Sequence, residues 1–566
     1  MSKVRQPHHL ELALELCRTI GTPYASRAAE QLCRGSYKLP SLDADAYSSA
    51  DSFAQDYLIY SYLRKINIPG KRVDELSKQA IIGFKETEQS VELTNRNLRS
   101  KPLCGVESII SDARRKVFTI LGRFDPLEWI ERCEWGPGAT SSLRSEHSTV
   151  DKKILEPSLT VTARALPYFK WILENDPHWF NARSGIYPDG AYSVLASNFS
   201  VVRSSRLTTV EKDSTTRRVI DIQPTANLYL QKGVGSCIRR RLKAVGINLD
   251  DQSRNQWLAS VAVRLGLSTI DLAKASDTVS TELVRLLLPD DWFYVLDALR
   301  TTHTRVDGKE LYLHKFSAMG NGYTFELESL LFYALCASTI EYSNDEFVLG
   351  VYGDDLVVPR RSSKNVVRVL RAVGFEVNSD KSFLRGRFFE SCGRHYFDGV
   401  EVTPVYQREV IKDFTTACRA ANRLFRYANR ITHDVRFLDS RYLTVHSLST
   451  AIAQSFWDEW MARRKTKGRK PVGFPSLPPW VEEDTGLLSL ARLNVRNGLV
   501  RFRRIQLTPL KRPGDECALF ALSLRRKCVT ESPFLGLVTL RGKLQSVAIS
   551  ESGKTTWLPQ RIPSWI

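Results

Sequence analysis

The sequence predicts a mixed α+β protein of several packed subdomains, and three observations lead to that reading. At 566 residues the chain exceeds what a single hydrophobic core organises. Its first hundred residues read as mainly helical, and residues 324–340 carry a strong helix pattern. Beside these helices stand short apolar runs, 347–351 and 356–358, separated by a tight polar turn, which read as a β-hairpin.

Taken in order, Leu10, Leu12, Leu14 and Leu16, with Cys17 and Ile20, form the first apolar-rich run, and residues 55–65 (QDYLIYSYLRK) form a similar one. Gly136-Pro137-Gly138 marks a firm break, followed by a polar loop through about Thr149. Leu267-Ser268-Thr269-Ile270-Asp271-Leu272 reads as a short buried strand. The helix after it should be capped near Asp277 or Thr278 and use Val279, Leu283 and Leu286 to Leu288 as apolar positions. The Gly-rich loop Met319-Gly320-Asn321-Gly322 enters helix 324–340, and Pro359 closes the second hairpin strand. Residues 466–480 (TKGRKPVGFPSLPPW) suggest a surface loop or linker, and the mixed region beyond them yields no topology.

Composition narrows the function. The chain is 43% hydrophobic and 25% charged, which excludes disorder and membrane embedding. Lys and Arg total 81 against 62 acidic residues, a net charge of +19 that calls for a polyanionic partner, nucleic acid first. Basic clusters recur at Arg239-Arg240-Arg241, Arg463-Arg464-Lys465 and Arg501-Phe502-Arg503-Arg504. Trp457, Trp460 and Phe502 lie near them, as base-stacking groups or as core aromatics. The ten cysteines include no Cys-x-x-Cys pair, so free thiols in a reducing compartment are expected rather than a zinc or redox motif. With neither a signal-peptide core nor a run long enough for a bilayer, the sequence reads as cytosolic.

The chemistry concentrates on carboxylates. A strand ending in Asp271, beside a hairpin tip bearing Asp354 and Asp355, would supply oxygen ligands to a pair of divalent cations. Nucleotidyl transfer uses two such ions roughly 3.5–4 Å apart, one activating a 3′-hydroxyl and one steadying the departing pyrophosphate. Magnesium keeps waters and substrate phosphates in its shell, so a few carboxylates suffice. Gly353 permits the turn. Gly-Asp-Asp alone is an ordinary turn sequence; the two apolar flanks and the upstream Asp271 make it more.

These segments resemble the palm motifs of viral RNA-dependent RNA polymerases, and most closely the replicases of positive-strand RNA bacteriophages, the leviviruses. Asp271-Leu272-Ala273-Lys274-Ala275-Ser276-Asp277 resembles motif A. Residues 317–329 (SAMGNGYTFELES) resemble motif B in its phage form, and Tyr352-Gly353-Asp354-Asp355 is similar to motif C. Residues 378–383 (NSDKSF) and 390–396 (ESCGRHY) look like motifs D and E. Upstream, Lys212 and Arg218 in EKDSTTRRVIDIQP resemble motif F, with Arg217 leaving the register open, and residues 246–256 (GINLDDQSRNQ) look characteristic of the phage replicases. The likeness covers roughly residues 130–405.

The resemblance implies a right-hand polymerase: fingers over 1–260, with motif F near 208–224, then a palm over 261–400 with an antiparallel sheet, flanking helices and a fingers-like insertion, then thumb and C-terminal region over 401–566. It implies two Mg2+ ions, with Mn2+ able to substitute, on Asp271 and Asp354, assisted by Asp355. Lys212 and Arg218 would neutralise the NTP triphosphate, Asp277 would sense ribose hydroxyls, and Gly320 and Asn321 would contact nucleotide or template. Asp277 could equally be a helix cap. Lys381 is the candidate general acid toward pyrophosphate, its alternative being a structural or exposed lysine. Many viral RNA polymerases carry in motif B an Asn that helps select ribose; Glu328 stands there, a departure the phage replicases share, leaving sugar selection open. Expected partners are RNA template and product, NTPs, and host elongation factors Tu and Ts with a ribosomal protein, in the cytoplasm of the bacterial host and without a membrane. The rival readings are a reverse transcriptase, disfavoured by Gly353 and the motif B form, and a non-catalytic basic RNA-binding protein, which makes no use of the carboxylates.

Overall fold

The computed structural model describes residues 7–36, 39–66, 73–136, 138–144, 148, 152–153, 156–175, 199–213, 216–432, 438–466, 468, 473–482, 484–489, 494–496, 499–501 and 560–561. Pro137 and residues 145–147 and 149 of the polar loop after it, Ser214 and Thr215, Phe502, Arg503 and Arg504, and residues 467 and 469–472 of segment 466–480 lie outside the described residues.

The N-terminal hundred residues are helical as expected. Helices α1 (His8–Ile20), α2 (Pro23–Cys33) and α3 (Ala50–Arg64) are followed by the 28-residue α4 (Val73–Ser100). Gly21, at φ 65°, ends α1 in the left-handed conformation, and Thr22 caps α2 by accepting the Ala25 N–H. Helix α4 is polar on most sides, but Phe84, Thr87, Glu88, Val91 and Asn95 form a buried stripe at helical spacing. Helices α5 (Glu107–Leu121) and α6 (Thr225–Ala244) pack on the central helix described below.

Strands β1 (Ser204–Glu211) and β2 (Arg217–Ile222) pair as an antiparallel hairpin. After the short helix α7 (Ser253–Ser260) comes β3 (Leu267–Ile270), then β4 (Leu272–Ala273), the short helices α8 (Ala275–Thr278) and α9 (Thr281–Leu287), and strands β5 (His303–Val306) and β6 (Lys309–Tyr312). The last two join the earlier hairpin in a four-stranded sheet of order β2-β1-β5-β6, with β1 and β5 parallel. The helix expected over 324–340 is α10 (Thr324–Tyr342), buried on nearly every side and therefore the axis of the largest core, which draws side chains from residues 106 to 375. The expected hairpin is β7 (Gly350–Tyr352) and β8 (Asp355–Pro359), followed by α11 (Arg360–Ala372), β9 (Glu376–Val377), β10 (Phe388–Ser391) and β11 (Arg394–Phe397).

Several expectations change. The strand read over 267–272 is interrupted at Asp271: β3 pairs antiparallel with β8, while β4 pairs with β9 in a separate ladder. Neither Asp277 nor Thr278 caps a helix over the following apolar run; Ser280 does, accepting the Leu283 N–H. Segment 466–480 is no simple surface loop: Thr466 ends a helix, and Ser476–Leu477 is a buried strand paired with Leu487–Leu488. Its apolar residues anchor it, Leu477 being fully buried.

A second core has an unusual membership. It joins α1 to α3 with α12 (Phe414–Thr432), α13 (Leu443–Thr466) and Leu487, so elements far apart in sequence pack together. Trp457 is buried there and Trp460 packs on it with ring centroids 4.8 Å apart, which makes them core aromatics. The Arg239-Arg240-Arg241 cluster is likewise structural, Arg239 pairing with Glu326 and Asp250, and Arg240 and Arg241 with Glu128. Among the described residues no helix is long and apolar enough to cross a membrane, and every cysteine is a free thiol.

The stripe on α4 grips the segment after β4. Lys315, 1% exposed, places Nζ 3.1 Å from Glu88 and 2.8 Å from Asp277, over the Phe84 ring at 3.6 Å. Glu88 also accepts the His314 N–H at 2.6 Å, and Asn95 binds the His314 carbonyl and the Glu282 N–H. Removing the cation would strand the buried Glu88 carboxylate and the half-buried Asp277 carboxylate. Lys315→Met is expected to cost about 3–5 kcal/mol of stability, read from the denaturant midpoint; an unchanged midpoint would show that the cluster contributes nothing.

Candidate active site

Asp271 sits where the chain forks between two ladders, so its backbone is held from outside them. Its N–H donates to Ser382 Oγ at 3.0 Å, and its carbonyl accepts the Asn378 N–H at 2.9 Å and the Ser382 hydroxyl at 3.1 Å. The carboxylate accepts from Asn378 Nδ2 at 2.8 Å and faces Lys381 Nζ at 3.7 Å. Motif D thus positions motif A directly.

The hairpin places its carboxylates by a two-residue turn. Tyr352 pairs with Asp355, leaving Gly353 and Asp354 at the tip, with Gly353 at φ 61°. Glycine is required there twice over, since a Cβ would also come within 2.6 Å of the Phe325 ring. Ser329 Oγ, on α10, accepts the Gly353 N–H at 3.0 Å, and the Phe325 and Tyr352 rings meet edge-on at 5.0 Å. From the other side Asn255 on α7 donates to the Asp355 carbonyl at 3.0 Å, while Arg254 and Gln256 bind the carbonyls of Leu349 and Cys392. The segment 246–256, characteristic in sequence, is therefore a buttress under the hairpin. Asp355 itself accepts the Cys392 N–H, which turns it toward the β10–β11 hairpin.

The carboxylates sense one another. Burial, then the Asp354 charge, raises Asp271 against the opposing pull of Lys381. Burial also raises Asp354, against Lys381, Arg218 and Lys212. Asp355, buried and next to Asp354, Asp271 and Glu390, is pushed up to about 7. A partly dehydrated set of mutually repelling carboxylates is a chemistry that a divalent cation relieves. Among the described residues no three His, Cys, Asp or Glu side chains gather into a complete metal cage. The donor set fits an ion that takes the rest of its shell from water and phosphate, as magnesium does.

The cations converge from separate elements. Lys212, just past β1, is lowered by enclosure and then by the charges of Arg218 and Lys381, and it feels Asp271. Arg217 is tied to Thr209 through Nε at 3.0 Å and Nη2 at 2.9 Å, whereas the exposed Arg218 side chain makes no hydrogen bond among the described residues, leaving its guanidinium available to a ligand. Beside Lys381 opens a cavity of about 1010 Å³ bordered also by Arg27, Arg64, Arg385, Tyr57 and Glu390.

Gly320 and Asn321 form a loop pressed on the β2 end. Gly320 has φ 130°, and a Cβ there would lie 2.1 Å from the Asp221 carbonyl. Asp221 donates its N–H to the Met319 carbonyl at 2.8 Å, and its buried carboxylate binds Ser205, Thr304 and Gln223. Asn321 folds back, Oδ1 accepting the Ala318 N–H at 3.0 Å, so its acceptor holds its own loop. Asp277 is bound by Lys315 as described. Sequence reading missed the roles of Asn255, Ser329, Lys315, Glu88 and Asp221; Asn255, Ser329 and Asp221 carried a signal through the segments they belong to, whereas Lys315 and Glu88 carried none.

Comparison with known proteins gives concordant findings. A family model described as RNA replicase, beta-chain, matches residues 6–447. The chain is 33% identical over 548 residues to the RNA-directed RNA polymerase subunit beta of Enterobacteria phage SP, covering 93% of this chain and 87% of that one. To the RNA-directed RNA polymerase subunit beta of Escherichia virus Qbeta it is 38% identical over 326 residues, 57% of this chain and 52% of the relative. The solved in situ structure of BmCPV RNA-dependent RNA polymerase at elongation state aligns with a TM-score of 0.38 at 11% identity, over 64% of this chain and 34% of that one.

The raised Asp355 fixes the sign of a pH effect. Its folded value of about 7 lies above the ordinary 3.8, so between the two the folded state holds the extra proton. Its contribution to stability is therefore full below about pH 4 and is lost as pH rises to about 7. In chelator, Asp355→Asn is expected to melt above the wild type at pH 7.5, with the gap narrowing on acidification and closing near pH 4. A gap that instead widens on acidification would contradict the assignment.

Proposed function

Because the chain belongs to the RNA replicase beta-chain family and is therefore an RNA-directed RNA polymerase, we propose that it replicates a positive-strand RNA phage genome by two-metal nucleotidyl transfer. The observation that carries the mechanism is the meeting of Asp271, at the fork of two ladders, with Asp354, at a glycine turn, within reach of Lys212, Arg218 and Lys381. Asp271 and Asp354 would hold two Mg2+ ions, replaceable by Mn2+, with Asp355 assisting; when bound, these activate the 3′-hydroxyl and neutralise the leaving pyrophosphate.

The chain's own groups do the rest. Lys212 and Arg218 bind the triphosphate, where fixed cations offset charge that develops on the leaving group. Lys381, 37% exposed and beside Asp271, is placed to give its proton to pyrophosphate. Asp277, held by Lys315, meets the ribose, and the loop of Gly320 and Asn321 meets nucleotide or template. The division into fingers (1–260), palm (261–400) and thumb (401–566) draws support from the palm strands β3, β7 and β8 and from β5 and β6, which join the upstream sheet as a fingers-like insertion. The second core adds that α1 to α3 lean on the thumb helices. Host elongation factors Tu and Ts and a ribosomal protein are the proposed partners, in the bacterial cytoplasm.

Primer extension on defined RNA templates, with ribo- and deoxynucleotides in parallel, tests the reading; exclusive use of deoxynucleotides would refute it. Asp354→Asn should lower incorporation by more than the roughly 100-fold that loss of a group behind a metal ligand costs, with RNA binding retained. Unchanged incorporation would remove Asp354 from the mechanism. Lys381→Met should slow the chemical step by roughly 10²- to 10⁴-fold, and an undiminished rate would discard Lys381 as proton donor.

A further inference from the structure

Helix α11 carries positive charge that the fold leaves without partners. Arg361, Lys364, Arg368 and Arg371 are all exposed and recur at i, i+3, i+7 and i+10, so they share one face over about 15 Å. Among the described residues none of the four side chains takes part in a hydrogen bond or an ion pair. The opposite face, with Ser362, Ser363, Val366, Val369 and Leu370, is buried, and the helix packs on α10, β3, β8 and β9. The helix gains nothing from its charges. It has no acidic residue, like charges at such spacing repel, and Arg360 and Arg361 oppose the dipole at its N-terminus. Of the nearby acids, Glu341 pairs with Lys116 at 2.8 Å and Asp345 accepts the Ser362 hydroxyl at 2.9 Å, while Glu346 and Glu376 are exposed toward either end.

Exposed aromatics adjoin the stripe. Tyr342, the last residue of α10, is 60% exposed, and Phe347 is 50% exposed. Their segment is fastened to the first turns of α11, where Asn365 donates to Ser343 Oγ at 3.1 Å and Ser362 to Asp345. A track of cations with rings beside it suits a single-stranded nucleic acid, with phosphates on the charges and unpaired bases on the rings. A bilayer would have to be entered by an apolar face, and that of α11 is already buried in the protein. The stripe also stands outside the catalytic site. Asp355 opens β8 and Pro359 closes it, so α11 starts at the end away from the carboxylate turn, roughly 13 Å along the strand. It then returns beside the sheet toward β9, the partner of β4 just past Asp271.

We infer that the α11 stripe, with Tyr342 and Phe347, is a second RNA-binding surface, which holds a single-stranded stretch of RNA while the catalytic site is occupied. The inference goes beyond the polymerase reading and does not depend on its catalytic residues. Backbone charge and stacking recognise the strand, so binding is tolerant of sequence. A long RNA that engages both places gains avidity, because release from one leaves it at high local concentration near the other.

Fluorescence anisotropy of the full-length enzyme tests this. The catalytic site is first saturated with a short unlabelled primer-template, and a labelled single-stranded RNA of mixed sequence is then titrated at several salt concentrations. The wild type should bind this second strand. Replacing all four cations (Arg361→Gln, Lys364→Gln, Arg368→Gln and Arg371→Gln) should weaken it by roughly 10-fold or more and flatten the log–log salt slope by up to about 3. Tyr342→Ala should lose roughly 5-fold or more, and Tyr342→Phe should keep its affinity. Each variant should extend the short primer at the wild-type rate, and unchanged melting temperatures establish an intact fold. A wild type that binds no second strand overturns the proposal, as does an unchanged Kd and slope in the four-site variant. Equal losses for RNA and for inorganic polyphosphate, with Tyr342→Ala without effect, overturn the assignment to RNA and leave a general anion surface. Failure of the wild type to extend the primer with ribonucleotides is a separate result, which bears on the polymerase reading alone.

Discussion

The structure depends on holding carboxylates close together in a partly dehydrated place. Asp271, Asp354 and Asp355 repel one another, and burial adds to the cost of each charge. Flexible supports would let them swing apart. The fold therefore fixes the backbone beneath each: Asn378 and Ser382 under Asp271, Ser329 under the Gly353 turn, Asn255 under Asp355. None of these supports is charged, so they restrain geometry without neutralising the set. Lys381, Lys212 and Arg218 offset part of the charge, and the rest is left to what enters.

The second ring of acids follows another rule. Asp277 and Glu326 each have a fixed cation, Lys315 and Arg239, and these pairs, with Glu88 on Lys315, stitch α8 and α10 to α4 and α6. Buried ion pairs add little net stability, yet they specify position, because breaking one strands a charge. The same logic accounts for the basic clusters that looked like phosphate contacts. Much of the positive charge in Arg239-Arg240-Arg241 is spent on Glu128, Glu326 and Asp250, whereas Arg218 and Lys212 stay available near the carboxylates.

What sequence disclosed followed from locality. The hairpin was legible because apolar runs flank a glycine, and α10 because its buried residues are contiguous. Asp271 was legible as a residue, but not as a fork, since the change of strand partner depends on β8 and β9, far along the chain. Lys315 was silent because the His314–Lys315 backbone and Glu88 meet across 226 and 227 residues, and no local pattern records such a meeting. The cap at Ser280 was missed because Asp277, a good capping residue by type, is drawn away by Lys315.

The shared core of α1 to α3 with α12 and α13 bears on how the molecule comes into being. Helices α1 to α3 pack on one another as they are made, but their partners in α12 begin only at Phe414, about 350 residues after α3 ends at Arg64. Until then the core that Leu12, Leu16 and Leu58 share with α12 and α13 lacks part of its native cover. Contacts of such long sequence separation slow folding and lengthen the time in which sticky surface is exposed. The nascent chain is thus exposed to aggregation longest at α1 to α3, and a ribosome that stalls before α13 leaves their shared core incomplete.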